Sequence, residues 1–163
     1  MEKTMEEIVL AGGCLWGVQE FIQYIPGVLS TEAGRANGTT NTTQGPYDGY
    51  AEAVRVTFDP HTLCVEALIE HLFEIIDPYS INQQGPDRGE KYRTGIYSEQ
   101  AEHLTRARRY FASRADAAQI ALEVLPLTNF VASDEEHQHH LSRYPENHHL
   151  CPIPWELLHR YKR

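Results

Sequence analysis

Ile8-Val9-Leu10-Ala11-Gly12-Gly13-Cys14-Leu15-Trp16-Gly17 is the stretch from which the fold can be read. Ile8 to Ala11 is a short apolar run that reads as a buried strand, and the Gly12-Gly13 pair breaks it. Trp16 to Tyr24 then has helical spacing, ended by Pro26-Gly27. Cys14 therefore falls at a strand-to-helix junction. A cysteine in the first turn of a helix faces unpaired backbone N–H groups and the positive end of the helix dipole, and both stabilise the nucleophilic thiolate. A buried structural cysteine is the competing reading of the same position.

Working outward, strand and helix patterns keep alternating. Gly27 to Ala33 reads as a second strand and Gly34 to Gly49, rich in Gly, Asn and Thr, as a long surface loop. Glu52 to Phe58 alternates as a strand should, with Asp59-Pro60 ending it, and Val65 to Ile75 is a helix with Leu68, Ile69, Leu72 and Ile75 on one face. Asp77 to Arg93 reads as a polar loop and Thr94 to Tyr97 as a short strand. A helix from about Glu99 to Arg114, capped by Ser98, and a strand at Ile120 to Leu125 come next. A short helix over Asp134 to Arg143 and a tail helix opened by Pro154 complete the chain. Interleaved strands and helices predict an α+β fold, a two-layer α/β sandwich of helices packed on a small mixed sheet. The 163 residues fit one domain, 1–163, with 144–163 as a C-terminal tail.

Composition removes several function classes. Asp and Glu outnumber Lys and Arg by 23 to 14, giving a formal charge of −9, and the only basic cluster is Arg106, Arg108 and Arg109 on one predicted helix. Binding to nucleic acid or to an anionic membrane is not expected. No apolar run approaches the roughly 18 residues of a membrane span, and the acidic N-terminus lacks a signal peptide's basic start. Cys14, Cys64 and Cys151 are odd in number and widely spaced, unlike a secreted disulfide framework. A monomer in a reducing cytoplasm, with any disulfide transient and catalytic, is the expectation.

Two further segments carry chemistry. In Gly49-Tyr50-Ala51-Glu52-Ala53-Val54 a carboxylate enters an apolar strand, where burial would raise its pKa and let it donate a proton near neutral pH, unless it is only an exposed strand-end glutamate. Residues 84–93 have the pattern Q-G-x-D-x-G-x-x-Y-R. With G-C-L-W-G at 13–17, G-Y-A-E-A-V at 49–54, Phe58-Asp59-Pro60, Asp77-Pro78, E-E-H-Q-H-H-L at 135–141 and Tyr144-Pro145, the sequence resembles the peptide methionine sulfoxide reductase A family. That family carries G-C-F-W-G, G-H-A-E-A-V, R-Q-G-x-D-x-G-x-Q-Y-R-S-x-I-Y and E-D-x-H-Q-x-Y-L-x-K-N-P in the same order. The resemblance spans nearly the whole chain.

The resemblance implies a ferredoxin-like core, no cofactor, no metal, and thiol-dependent reduction of methionine S-sulfoxide, free or in proteins. It makes Cys14 the nucleophile on sulfur and Glu52 the acid that protonates the sulfoxide oxygen, with Asp87 and Tyr92 supporting that oxygen. Sulfur becomes electrophilic enough only as its oxygen gains a proton in the transition state. Trp16 would wall the S-methyl group. Taken alone, Trp16 could be plain core, Asp87 a turn residue and Tyr92 an interior tyrosine.

The chain also departs from the pattern. Leu15 replaces the aromatic after the nucleophile, leaving one aromatic wall in the methyl pocket. The usual loop tyrosine is missing from Asn37 to Gln44, and Tyr47 is the favoured substitute over Tyr50, which occupies the family's histidine position. Gln44 stands where some members have a cysteine. Cys151 follows Tyr144-Pro145 at a spacing close to that of the family's resolving cysteine, although Pro152 and Pro154 stiffen its far side. The family chemistry then implies a Cys14–Cys151 disulfide and thioredoxin or another dithiol as reductant. Cys64, on an apolar segment before a helix, reads as structurally buried. Three competing functions remain open: a His/Cys metal module built from His137, His139, His140, His148, His149 and Cys151, a non-catalytic sulfoxide-peptide binder, and a thiol peroxidase.

Overall fold

The computed structural model describes residues 5–40, 47–150 and 153–162. Strand β1 (Glu6–Gly12) leads into helix α1 (Leu15–Ile22), followed by β2 (Val28–Ala36), β3 (Ala51–Phe58) and α2 (Val65–Phe73). The short strands β4 (Gln83–Gln84) and β5 (Asp87–Arg88) form a hairpin, and β6 (Thr94–Ser98), α3 (Ala101–Ser113), β7 (Glu123–Pro126) and β8 (Phe130–Ala132) come next. Helices α4 (His140–Arg143) and α5 (Trp155–Leu158) close the chain.

Six strands make one mixed sheet in the order β7-β6-β1-β3-β2-β8, antiparallel except for the β6–β7 pair. Strand alternation sends Ile8, Leu10, Val54, Val56, Phe58 and Ile96 to one face, where Val18, Phe21 and Ile22 of α1, Leu68, Ile69 and Leu72 of α2 and Phe111 of α3 bury them. The other face carries the smaller set Val9, Ala11, Ala36, Ala51, Ala53 and Tyr97. This is the expected α+β arrangement of helices on a mixed sheet.

Several boundaries differ from the sequence reading for local reasons. Strand β2 runs on to Ala36, so the loop starts later than Gly34, because β8 pairs with Gly34–Ala36 and completes their hydrogen bonds. Strand β8 was not anticipated. The segment read as one helix over Asp134–Arg143 is two short turns, broken where His139 adopts φ 51° and its N–H donates to Gln19 Oε1 at 2.8 Å. The N-cap of α3 is Gln100 rather than Ser98, whose hydroxyl accepts from Gln100 N at 3.0 Å and bonds His103.

Cys64 corrects another expectation. It is exposed and occupies the N-cap of α2, its sulfur accepting the Ala67 N–H at 3.4 Å. The inward helix face starts at Val65, and the residue before it must turn back toward the unpaired N–H groups. Near β8, Gln138 bonds both backbone groups of Ala33: its Oε1 accepts Ala33 N–H at 2.8 Å and its Nε2 donates to Ala33 O at 2.8 Å. Among the described residues no helix is long and apolar enough to cross a membrane.

Candidate active site

Register gathers the chemistry at one end of the sheet. Leu10 lies opposite Val54, so Gly12 to Cys14 run past the start of β3, where Glu52 stands. Arg35 is paired directly with Glu52 across β2 and β3, and Gly12 with Thr94, which places Tyr92 and Arg93 just beside β1. The result is a cavity of about 290 Å³ lined by Cys14, Leu15, Trp16, Arg35, Tyr50, Glu52, Asp87, Tyr92, Ser133 and His137.

Gly13 makes the turn that delivers Cys14. It has φ +88°, and a Cβ there would meet the Gln84 Cβ at 2.7 Å. Cys14 is the extended N-cap of α1, its carbonyl accepting the Val18 N–H at 3.2 Å, so its thiol lies at the positive end of the helix. Arg93 fixes the facing loops: its guanidinium donates to Gly49 O, Tyr50 O and Glu90 O at 3.0, 3.2 and 3.0 Å and to Glu123 at 3.1 Å.

The carboxyls in this cavity are biased toward the protonated form. Burial, then the neighbouring Asp87, holds the Glu52 pKa above the ordinary carboxylate value against the pull of Lys91, Arg35 and the Leu15 N–H. Lys91 Nζ lies 3.8 Å from Glu52 Oε2. Asp87 is raised by burial, opposed by Lys91, and among the described residues its Oδ2 is buried without a hydrogen-bond partner. Tyr92 is raised by burial and by Glu52, so its phenol stays a proton donor.

Trp16 is held from two sides. Its indole N–H donates to His137 Nδ1 at 3.2 Å, and His140 stacks on the ring with centroids 3.7 Å apart and planes 10° from parallel. Asn147 bonds His140 Nε2 at 2.9 Å. His148 and His149 each bond a backbone carbonyl, and no group of three metal-binding side chains occurs among the described residues.

The family model for peptide methionine sulfoxide reductase matches residues 6–160. The chain belongs to that family. It is 39% identical to the peptide methionine sulfoxide reductase MsrA of Clostridium acetobutylicum over 96% of this chain and all of that protein. Among solved structures, Mxr1 from Saccharomyces cerevisiae in reduced form superposes with a TM-score of 0.79 at 25% identity, covering 88% of this chain and 87% of that one. Methionine sulfoxide reductase A of Corynebacterium diphtheriae gives 0.77 at 28% identity, covering 94% and 84%. The yeast protein has also been solved in complex with Trx2. Membership makes this chain a thiol-dependent methionine sulfoxide reductase.

The structure of this reductase brings Cys14, Leu15, Trp16, Glu52, Asp87 and Tyr92 together. Tyr47 is not among the lining residues: its hydroxyl donates to Tyr50 O at 2.6 Å and its ring packs edge-on against Tyr50. Tyr50 takes the position in the wall, because it adjoins β3 while Tyr47 is three residues out along the loop. Cys151 and Gln44 lie outside the described residues. Arg35, Ser133 and Lys91 were not singled out from sequence. The alternation of β2 was the available signal for Arg35, since it shares a face with its cross-strand partner Glu52.

Proposed function

We propose that the reductase acts on the S-epimer of methionine sulfoxide through Cys14. The thiolate attacks sulfur while Glu52 gives its proton to the sulfoxide oxygen, and the departing methionine leaves Cys14 as a sulfenic acid. Trp16 and Leu15 bound the space for the methyl group, and Asp87 and Tyr92 supply hydrogen bonds to the oxygen. A second thiol, that of Cys151, condenses with the sulfenic acid to a disulfide and releases water. A dithiol reductant of the thioredoxin kind then returns both thiols and leaves as the disulfide. We read 1–163 as one domain, with 144–163 as the tail that brings Cys151, acting as a monomer in the cytoplasm.

The observation that carries this reading is the convergence in one cavity of Cys14 at a helix N-cap with two carboxyls whose pKa burial raises. A peptide binder has no use for that combination. The test is a chiral assay with a dithiol reductant and resolved methyl sulfoxides. The S-epimer should be converted to thioether, and absence of turnover or conversion of the R-epimer alone would overturn it.

A further inference from the structure

Cross-strand neighbours of opposite charge ordinarily form an ion pair. Arg35 and Glu52 are register partners, yet no ion pair joins them among the described residues. The Arg35 guanidinium instead lies over the Tyr50 ring, 4.4 Å from its centroid. A guanidinium has five N–H donors in a fork that matches a carboxylate, and a ring contact consumes none of them as a hydrogen bond to oxygen. Arg35 is half-buried and lines the same cavity as Cys14.

The charge of that cavity is set against the rest of the molecule. The chain carries −9, but the two carboxyls in the cavity wall are the ones biased toward neutrality. Arginine does not lose its proton in proteins. With Glu52 protonated, as proton donation requires, Arg35 is a cation in the wall beside the reacting sulfur and the nearby Lys91 ammonium loses its counter-charge. In methionine sulfoxide the α-carbon is three bonds from sulfur, and a carboxylate on it, or one on the side chain of the next residue folded back, can reach the wall that holds Arg35.

We propose that Arg35 binds a substrate carboxylate and makes the reductase selective for sulfoxides that carry one close to sulfur. The carboxylate has two possible sources: the α-carboxylate of free or C-terminal methionine sulfoxide, or an acidic side chain following it in a peptide. The proposal rests on the reductase reading and adds the substrate class.

The experiment compares kcat/KM for three S-sulfoxides: N-acetyl-methionine sulfoxide, its methylamide, and the N-acetyl dipeptide amide in which aspartate follows. The parent should favour at least one carboxylate substrate over the methylamide by tenfold or more, mainly through KM, and the preference should shrink as salt rises. Which of the two is favoured identifies the source. Arg35→Gln should bring the ratio close to one, and Arg35→Lys should keep part of it. The readout is a ratio within one variant, so a general loss of activity or folded fraction cancels. Equal kcat/KM for all three in the parent, or an unchanged ratio in Arg35→Gln, overturns the assignment. A parent that reduces none of the three refutes the reductase reading instead.

Discussion

Lys91→Gln removes one positive charge 3.8 Å from the Glu52 carboxyl. The Lys91 side chain is 41% exposed, so water screens its field, and about 1 kcal/mol at this distance is the appropriate scale rather than the about 4 kcal/mol of a shielded pair. That is about fivefold in an equilibrium constant. The direction follows from the neighbours: burial and Asp87 raise the Glu52 pKa and Lys91 opposes them, so the variant holds its proton more tightly. The donating form is the protonated one, and kcat/KM falls as pH rises through the Glu52 pKa. In Lys91→Gln that fall should come at higher pH, with activity on the alkaline limb about fivefold above the parent's relative to each plateau. The assay is single-turnover sulfoxide reduction across pH with enzyme in excess, which isolates the first step from disulfide recycling. An alkaline limb that stays in place, or moves to lower pH, would refute the assignment of Glu52 as the proton donor.

Glu52→Gln keeps the shape of the side chain and loses the proton. Sulfoxide reduction should slow by about 10²- to 10⁴-fold, and the alkaline limb should vanish from the pH profile. Gly13→Ala forces φ +88° on an L-residue and presses its methyl on Gln84, so melting should show a loss of at least about 1–2 kcal/mol, with reduced turnover from a displaced Cys14. His140→Ala removes the ring stacked on Trp16, a contact of about 0.5–1.5 kcal/mol, and KM should rise about two- to tenfold while His140→Phe restores it. Cys64→Ser retains a good helix cap on an exposed site. Peptide mapping after one turnover should give the same disulfide as the parent, and thermal stability should lie within about 0.5 kcal/mol.

Legibility in the sequence followed the physics of each segment. The run from Ile8 to Cys14 was readable because strand burial, a glycine break and a helix start each leave a local mark, and the structure places Cys14 at that junction. The fold class followed from the same alternation. Strand β8 was not readable, since its three residues have too short an alternation to register and are ordered by pairing with β2. Tyr47 was favoured for the wall only because Tyr50 matched another position; the choice depended on loop geometry, which sequence spacing does not carry. Lys91 looked like any surface lysine, and its closeness to Glu52 arises from a turn of 3-10 helix after Gly89, whose φ is 139°. Cys64 was judged by its apolar neighbours although its position one residue before the helix decides its exposure.

The two hydrogen bonds between Gln138 and Ala33 are those a neighbouring strand would make, provided here by one side-chain amide. A primary amide has the donor and acceptor of a peptide group and can stand in for one at a sheet edge. His137 and His140, which hold the indole, flank Gln138 within three residues, so this amide ties the two short turns that carry them to the sheet. The attachment is shared with helix α1, where Gln19 Oε1 accepts the His139 N–H at 2.8 Å. Gln138→Glu, nearly identical in shape, replaces the donor to Ala33 O and Ser133 O with a second acceptor and would loosen the segment that holds the indole.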